Sequence, residues 1–215
     1  MDWDPTTHYQ EVAIAERYDH DRFSRLSGRV FNALEKYNIH KAFTSFTRDN
    51  VVLDLPCGTG RLAEVLLNDG FRVVGVDISH AMVHVAQRRL ARFGERFQTR
   101  VADVMQLARR ERKVYDITLC ARVLMHFPLE QQIEFLHSVA TLTRGAVVFT
   151  QSLSTPYHRA RRMLKRLAGA QAPANYPITE DQLAKLLEGA GLREVRRLRP
   201  CAPVTEEIVV ISEPR

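Results

Sequence analysis

Val51-Val52-Leu53-Asp54-Leu55-Pro56-Cys57-Gly58-Thr59-Gly60-Arg61-Leu62-Ala63 decides the fold. It opens with an apolar, β-branched run, which reads as a strand buried on both faces. The chain then turns at Pro56 to Gly60. Beyond the turn Leu62, Val65, Leu66 and Leu67 fall at helical spacing, so a helix follows. Strand, glycine turn and helix together form a setting for a bound cofactor. Glycines admit close backbone approach, and the helix N-terminus offers N–H groups that no turn of helix uses.

Two cofactor classes compete for this turn. Gly58, Gly60 and Ala63 satisfy the dinucleotide pattern G-x-G-x-x-G/A, and Asp77 closes the next apolar run, Phe71-Arg72-Val73-Val74-Gly75-Val76-Asp77. Asp54 weighs against a dinucleotide. A carboxylate where the turn starts repels a pyrophosphate and favours a cofactor with a cationic amino group or a positive centre. Asp54-Leu55-Pro56-Cys57-Gly58-Thr59-Gly60 resembles D/E-x-G-x-G-x-G, the first motif of the class I S-adenosylmethionine (SAM) methyltransferases. It departs from that motif at Pro56, which stands where the family has its first glycine and has no N–H to donate. The resemblance runs from about residue 50 to the C-terminus and is closest from 50 to 130.

The resemblance implies SAM as cofactor and S-adenosylhomocysteine as product. The backbone at Pro56, Cys57, Gly58 and Gly60 would lie against the cofactor. Asp77 would accept from both ribose hydroxyls, Ile78 and Met82 would sandwich the adenine, Asp103 would take its amine, and the Val104 N–H a ring nitrogen. Ala121 and Arg122 fall where the family contacts the sulfonium side, and Tyr18 and Arg22 are placed to reach the methionyl carboxylate. The Asp/Asn-Pro-Pro-Tyr motif of amide N-methyltransferases is absent at Ala121-Arg122-Val123-Leu124. If the acceptor must lose a proton, His126, then Tyr157 and His158, are the catalytic candidates. Each has an ordinary alternative: tyrosines that staple helices to a core, and a packed, satisfied histidine. The implied fold is α/β, a single Rossmann-like class I domain. Its seven-stranded sheet is mostly parallel, ordered 3-2-1-4-5-7-6 with the last strand antiparallel, and has helices on both faces.

A chain of 215 residues, 45% hydrophobic and 26% charged, reads as one globular domain with a sizeable core. Its start, Met1-Asp2-Trp3-Asp4-Pro5, is too polar for a signal peptide, and no apolar run has the length of a membrane span. Cys57, Cys120 and Cys201 are widely spaced without C-x-x-C, which suits a reducing cytoplasm with neither disulfides nor a metal site. The net charge of +6 is local, because residues 151–200 carry ten Lys/Arg against four Asp/Glu. Such a face points to an anionic substrate, nucleic acid, a membrane surface or plain solvation.

Residues 1–48 are expected to form a helical cap over the cofactor and substrate site, with a helix from about Arg29 to Tyr37; residues 49–215 form the SAM-binding core. Within the core, about 153–177 reads as a basic helical lid. Pro156 starts a helix with Ala160, Met163, Leu164 and Leu167 on one face and Arg159, Arg161, Arg162, Lys165 and Arg166 around it. Packing of that apolar stripe on the domain is the first expectation; contact with an anionic membrane through 157–168, or a clamp on an acidic substrate, are the others. Thr179 and Gln182 make a capping box for the next helix. The two last strands are joined too tightly for a crossover helix and should be antiparallel.

Similarity to the small-molecule methyltransferases of ubiquinone and menaquinone biosynthesis favours a small-molecule acceptor. A lipid-like acceptor ranks second. RNA ranks third, since no nucleic-acid module is recognised. An NAD-dependent oxidoreductase and a SAM-binding module without catalysis are the readings from other classes. A monomer and a homodimer are equally compatible with the sequence.

Overall fold

The computed structural model describes residues 12–167, 175–200 and 205–215. Cys201 and part of the expected lid, residues 168–174, lie outside the described residues. Two helices, α1 (Val12–Phe23) and α2 (Leu26–Phe43), precede β1 (Val51–Asp54). Helix and strand then alternate: α3 (Ala63–Asn68), β2 (Arg72–Asp77), α4 (His80–Leu90), β3 (Phe97–Val101), α5 (Val104–Arg110), β4 (Tyr115–Cys120), α6 (Leu129–Leu142) and β5 (Thr143–Ser152). Helices α7 (Pro156–Leu167) and α8 (Glu180–Gly189) lead to β6 (Leu192–Leu198) and β7 (Glu207–Pro214). The seven strands form one sheet in the order β3-β2-β1-β4-β5-β7-β6. All neighbours from β3 to β5 are parallel, and β7 runs antiparallel to both β5 and β6, as expected.

Successive strand residues serve opposite faces of the sheet, so the apolar runs build two cores. Leu53, Val76, Phe149 and Val210 pack on one side with α6 and α8, whose Leu136, Leu183 and Leu186 are buried there. Val52, Val73, Val148 and Val209 pack on the other with Ile39 and Phe43 of α2 and Leu66 of α3. Parallel pairing brings the carboxyl ends of β1, β2 and β4 to one edge, which is where α/β sheets bind ligands.

Helix α2 is longer than the expected Arg29–Tyr37 because its buried stripe continues through Asn38, Ile39, Ala42 and Phe43, where Phe43 meets Phe71 edge to face at 5.6 Å. Helix α7 corrects the packing expectation. Tyr157, Met163, Leu164 and Leu167 are 54%, 64%, 66% and 75% exposed, so its apolar stripe faces solvent. The caps follow the sequence. Ser79 accepts from Met82 N–H, and Thr179 and Gln182 exchange side-chain-to-backbone bonds at 2.9 and 3.3 Å. Among the described residues no helix is long and apolar enough to cross a membrane, and no group of three or more His, Cys, Asp or Glu is placed to hold a metal.

Candidate cofactor and acceptor site

A cavity of about 600 Å³ opens at the carboxyl ends of β1, β2 and β4. The β1 turn forms its floor. Leu55 N–H donates to Leu119 O and Cys57 N–H to Val76 O, both at 2.9 Å, which ties the turn to both neighbouring strands. Gly58 and Gly60 hold positive φ, 51° and 75°, a region costly for residues with a Cβ. Their roles differ. A Cβ on Gly58 meets nothing within 4 Å, whereas one on Gly60 would lie 2.7 Å from Leu90 Cδ1. Gly58 thus lines open cavity, and Gly60 lets α4 pack against the turn.

The two acids of the site are held differently. Asp77 accepts from Gly58 N–H through Oδ2 and from Ser79 N–H through Oδ1, both at 2.9 Å. Burial raises its carboxyl above the usual range, and these backbone donors oppose the rise. A carboxylate has about four lone-pair sites, so Asp77 keeps acceptor capacity for a ligand. Asp54 is 1% exposed, and its Oδ2 accepts no hydrogen bond from the described residues. Burial, helped by the nearby Asp77 charge, pushes its carboxyl up to about 8. An unpaired buried carboxylate oxygen at a cavity wall is a place for a cationic donor.

Tyr18, Asp54, Pro56, Cys57, Gly58, Asp77, Ile78, Met82, Asp103, Val104, Ala121, Arg122 and His126 all line this one cavity. Ile78 is 39% exposed, an apolar surface suited to an aromatic ring. Asp103 caps α5, its Oδ1 accepting from Gln106 N–H at 3.0 Å. Burial drives the Cys57 thiol well above its ordinary value, so it is a packing residue and not a nucleophile. His126 sits in a 3-10 turn (Leu124–His126). Burial, with the Arg22 charge added, lowers its pKa below 6.5, so at neutral pH its imidazole is uncharged.

Four expected residues are not among those lining the cavity. Gly60 is taken by helix packing. Arg22 does not line the cavity but donates to the Tyr18 hydroxyl at 3.1 Å. His158 is buried and shares a 3.0 Å hydrogen bond with Thr155 Oγ1, and Tyr157 is largely exposed beside it on α7. The structure does not bring these last two to the other site residues.

A charged cluster that no sequence pattern joins reaches the cavity wall at Arg61 and Arg122. Arg61 donates to Glu35 Oε2 at 2.5 Å and to Asn32 Oδ1 at 2.7 Å. Arg122 donates to Glu207 Oε2 at 2.8 Å, and its Nε lies 3.9 Å from Glu35 Oε1. Burial pushes Glu35 and Glu207 up to about 7, against the pull of the arginines. Arg122 itself has φ 64°, with its N–H held by Thr150 Oγ1 at 2.8 Å. The four partners come from α2, the β1 turn, the end of β4 and the start of β7, so only the fold assembles them. The far wall of the cavity, with Arg109, Phe127, Glu134 and Phe135, was likewise not legible.

A family model described as a methyltransferase domain matches residues 52–145. The ubiquinone biosynthesis O-methyltransferase of Nitrosospira multiformis is 28% identical over 148 residues, covering 68% of this chain and 60% of the relative. That of Nitrosomonas europaea is 31% identical over 107 residues, 49% of this chain and 45% of the relative. The chain thus spans less than two thirds of the length of these curated relatives. Among solved structures, magnesium protoporphyrin IX methyltransferase from Synechocystis PCC 6803 with bound S-adenosylhomocysteine superposes with a TM-score of 0.75, at 20% identity, covering 99% of this chain and 100% of the other. The 1,6-didemethyltoxoflavin-N1-methyltransferase of Burkholderia thailandensis superposes with a TM-score of 0.68 at 21% identity, covering 100% of this chain and 92% of the other. The fold is the one these methyltransferase structures share, and the glycine turn and helix at its centre lie within the stretch that the methyltransferase-domain model matches.

Proposed function

We propose that this chain binds SAM in the cavity and transfers its methyl group to an O, N or C atom of a small-molecule acceptor. The observation that carries the reading is Asp54 Oδ2, a buried carboxylate oxygen without a hydrogen-bond partner among the described residues. The residues present fit SAM. Asp54 would hold its ammonium group, Asp77 its ribose hydroxyls, Ile78 and Met82 the adenine faces, and Asp103 and Val104 the adenine edge. Ala121 and Arg122 would flank the sulfonium, and Tyr18, steadied by Arg22, would reach the carboxylate. Pyrophosphate would meet the Asp54 carboxylate, which disfavours NAD.

SAM supplies a methyl group already activated by its sulfonium. The chain's own task is then to align an acceptor and to exclude water. His126, uncharged at neutral pH and on the cavity wall, is the group placed to accept a proton from an acceptor hydroxyl or amine. The described part of the expected N-terminal cap, α1 and α2, would cover the site. Small-molecule acceptors of the relatives, as their names state them, support this acceptor class. One chain supplies the cavity, so a monomer or a homodimer would serve. The buried free thiols of Cys57 and Cys120 support a cytoplasmic setting.

The test uses methyl-labelled SAM, the purified protein and a cell extract divided into small-molecule, lipid and macromolecular fractions. Label in the small-molecule fraction is expected. Label confined to the lipid or macromolecular fraction would replace the acceptor class, and no label with no SAM binding would overturn the reading.

A further inference from the structure

Helix α7 is the part of the molecule that the cavity leaves unexplained. Its apolar residues Tyr157, Met163, Leu164 and Leu167 are exposed, although helical spacing sets them on one side with Ala160. Single exposed apolar side chains are ordinary; four along one face of one helix form a patch that needs an occupant. The other positions of the helix include Arg159, Arg161, Arg162, Lys165 and Arg166, and no Asp or Glu occurs anywhere between Glu134 and Glu180.

We infer that α7 docks on an anionic lipid bilayer. A bilayer is the occupant that meets both properties at once. Its acyl boundary takes the apolar side, and its phosphate headgroups take the flanking cations. A second copy of the chain would set five basic residues against five. A nucleic acid would pair with the charges and leave the apolar side in water. The roots of the helix also suit such a contact. Ser154 N–H donates to Ile178 O at 2.7 Å, and Tyr176 N–H donates to Met125 O at 2.8 Å. Gln132 Nε2 then joins Phe127 O and Tyr176 O, at 2.7 and 3.2 Å. The first bond ties the two ends of the α7 insertion to each other, and the others fasten its C-terminal end to the stretch carrying His126 and Phe127, which lines the cavity. This inference stands on observations separate from those for the cofactor.

The test is co-sedimentation of the full chain with vesicles of phosphatidylcholine alone and of equal parts phosphatidylcholine and phosphatidylglycerol. Wild type is expected to sediment with the anionic vesicles only. R161Q/R162Q/K165Q/R166Q should lower the partition constant on the order of 10³-fold, at about fivefold per charge removed. M163S/L164S/L167S should lower it by about tenfold or more. Circular dichroism and SAM titration of both variants should match wild type, which separates a docking defect from misfolding. Wild type that stays in the supernatant overturns the proposal, and so does either variant sedimenting as wild type does. Wild type held by RNA or by its own second copy but not by vesicles overturns it as well. A chain that binds vesicles but not SAM would sink the cofactor reading and leave this one standing.

Discussion

Arg122 donates from Nη1 to Glu207 Oε2 at 2.8 Å, across 85 positions of sequence. The pair joins the end of β4, where the chain turns into the cavity, to the start of the antiparallel strand β7. It also fixes a residue whose backbone is left-handed without being glycine. Breaking a buried pair by removing one partner leaves an uncompensated charge, at roughly 3–5 kcal/mol. Glu207→Ala should approach that loss, lessened because Glu35 stays 3.9 Å from Arg122. Glu207→Gln should cost less, because an amide still accepts. Urea unfolding of both variants checks the order.

Asp54→Asn should stabilise the unliganded chain and weaken SAM binding. The folded pKa is raised, from 3.8 to about 8. Below the lower value Asp54 is protonated in both states and imposes no penalty. As pH rises towards 8 the unfolded chain has released its proton and the folded chain has not, so stability falls. Asparagine removes that fall. The gain at neutral pH should be on the order of 1–3 kcal/mol, the cost of an unsatisfied buried polar group. That corresponds to about 2–4 °C in melting temperature per kcal/mol for a chain of this size. Thermal melts from pH 5 to pH 8 check it, with and without SAM.

Gly60→Ala and Gly58→Ala should separate packing from conformation. Both residues have positive φ, which costs a Cβ-bearing residue about 1–2 kcal/mol. Only Gly60 adds a clash, 2.7 Å from Leu90 Cδ1, and overpacking costs a further 1–3 kcal/mol or so. Gly60→Ala should therefore lower the melting temperature more, while Gly58→Ala, at the open cavity, should weaken ligand binding more than its stability loss explains.

His126→Ala should lower kcat by about 10²-fold or more while leaving SAM affinity nearly unchanged, if the acceptor must lose a proton. Because burial holds its pKa below 6.5, the wild-type rate should rise with pH and level off before neutrality. A pH–rate profile of the variant should lose that limb.

Much of this was legible in sequence because it is local. The β1 run, the glycine turn and the acid closing β2 are contiguous stretches whose spacing dictates strand, turn and helix, and parallel pairing then brings Asp54 and Asp77 together. The capping box at Thr179 is local in the same way. What escaped is long-range or negative. Glu35 looks like one more charge on a helix until Arg61, 26 positions on, buries against it. The exposed side of α7 has the pattern of a packed helix, and only the surrounding fold reveals that nothing described covers it. His158 and Tyr157 are reactive side-chain types, but His158 is buried against Thr155, Tyr157 is exposed, and neither lines the cavity. Gly60 matches a cofactor motif and is needed for α4.

Calorimetric titration of SAM into the full chain, with NAD and the Asp54→Asn variant alongside, tests the central claim most directly. The expected result is saturable SAM binding by wild type, none of NAD, and SAM affinity weakened at least on the order of tenfold by Asp54→Asn, the loss of one charge-assisted contact. Binding of NAD in place of SAM, or SAM binding indifferent to Asp54→Asn, would contradict the role assigned to the buried carboxylate.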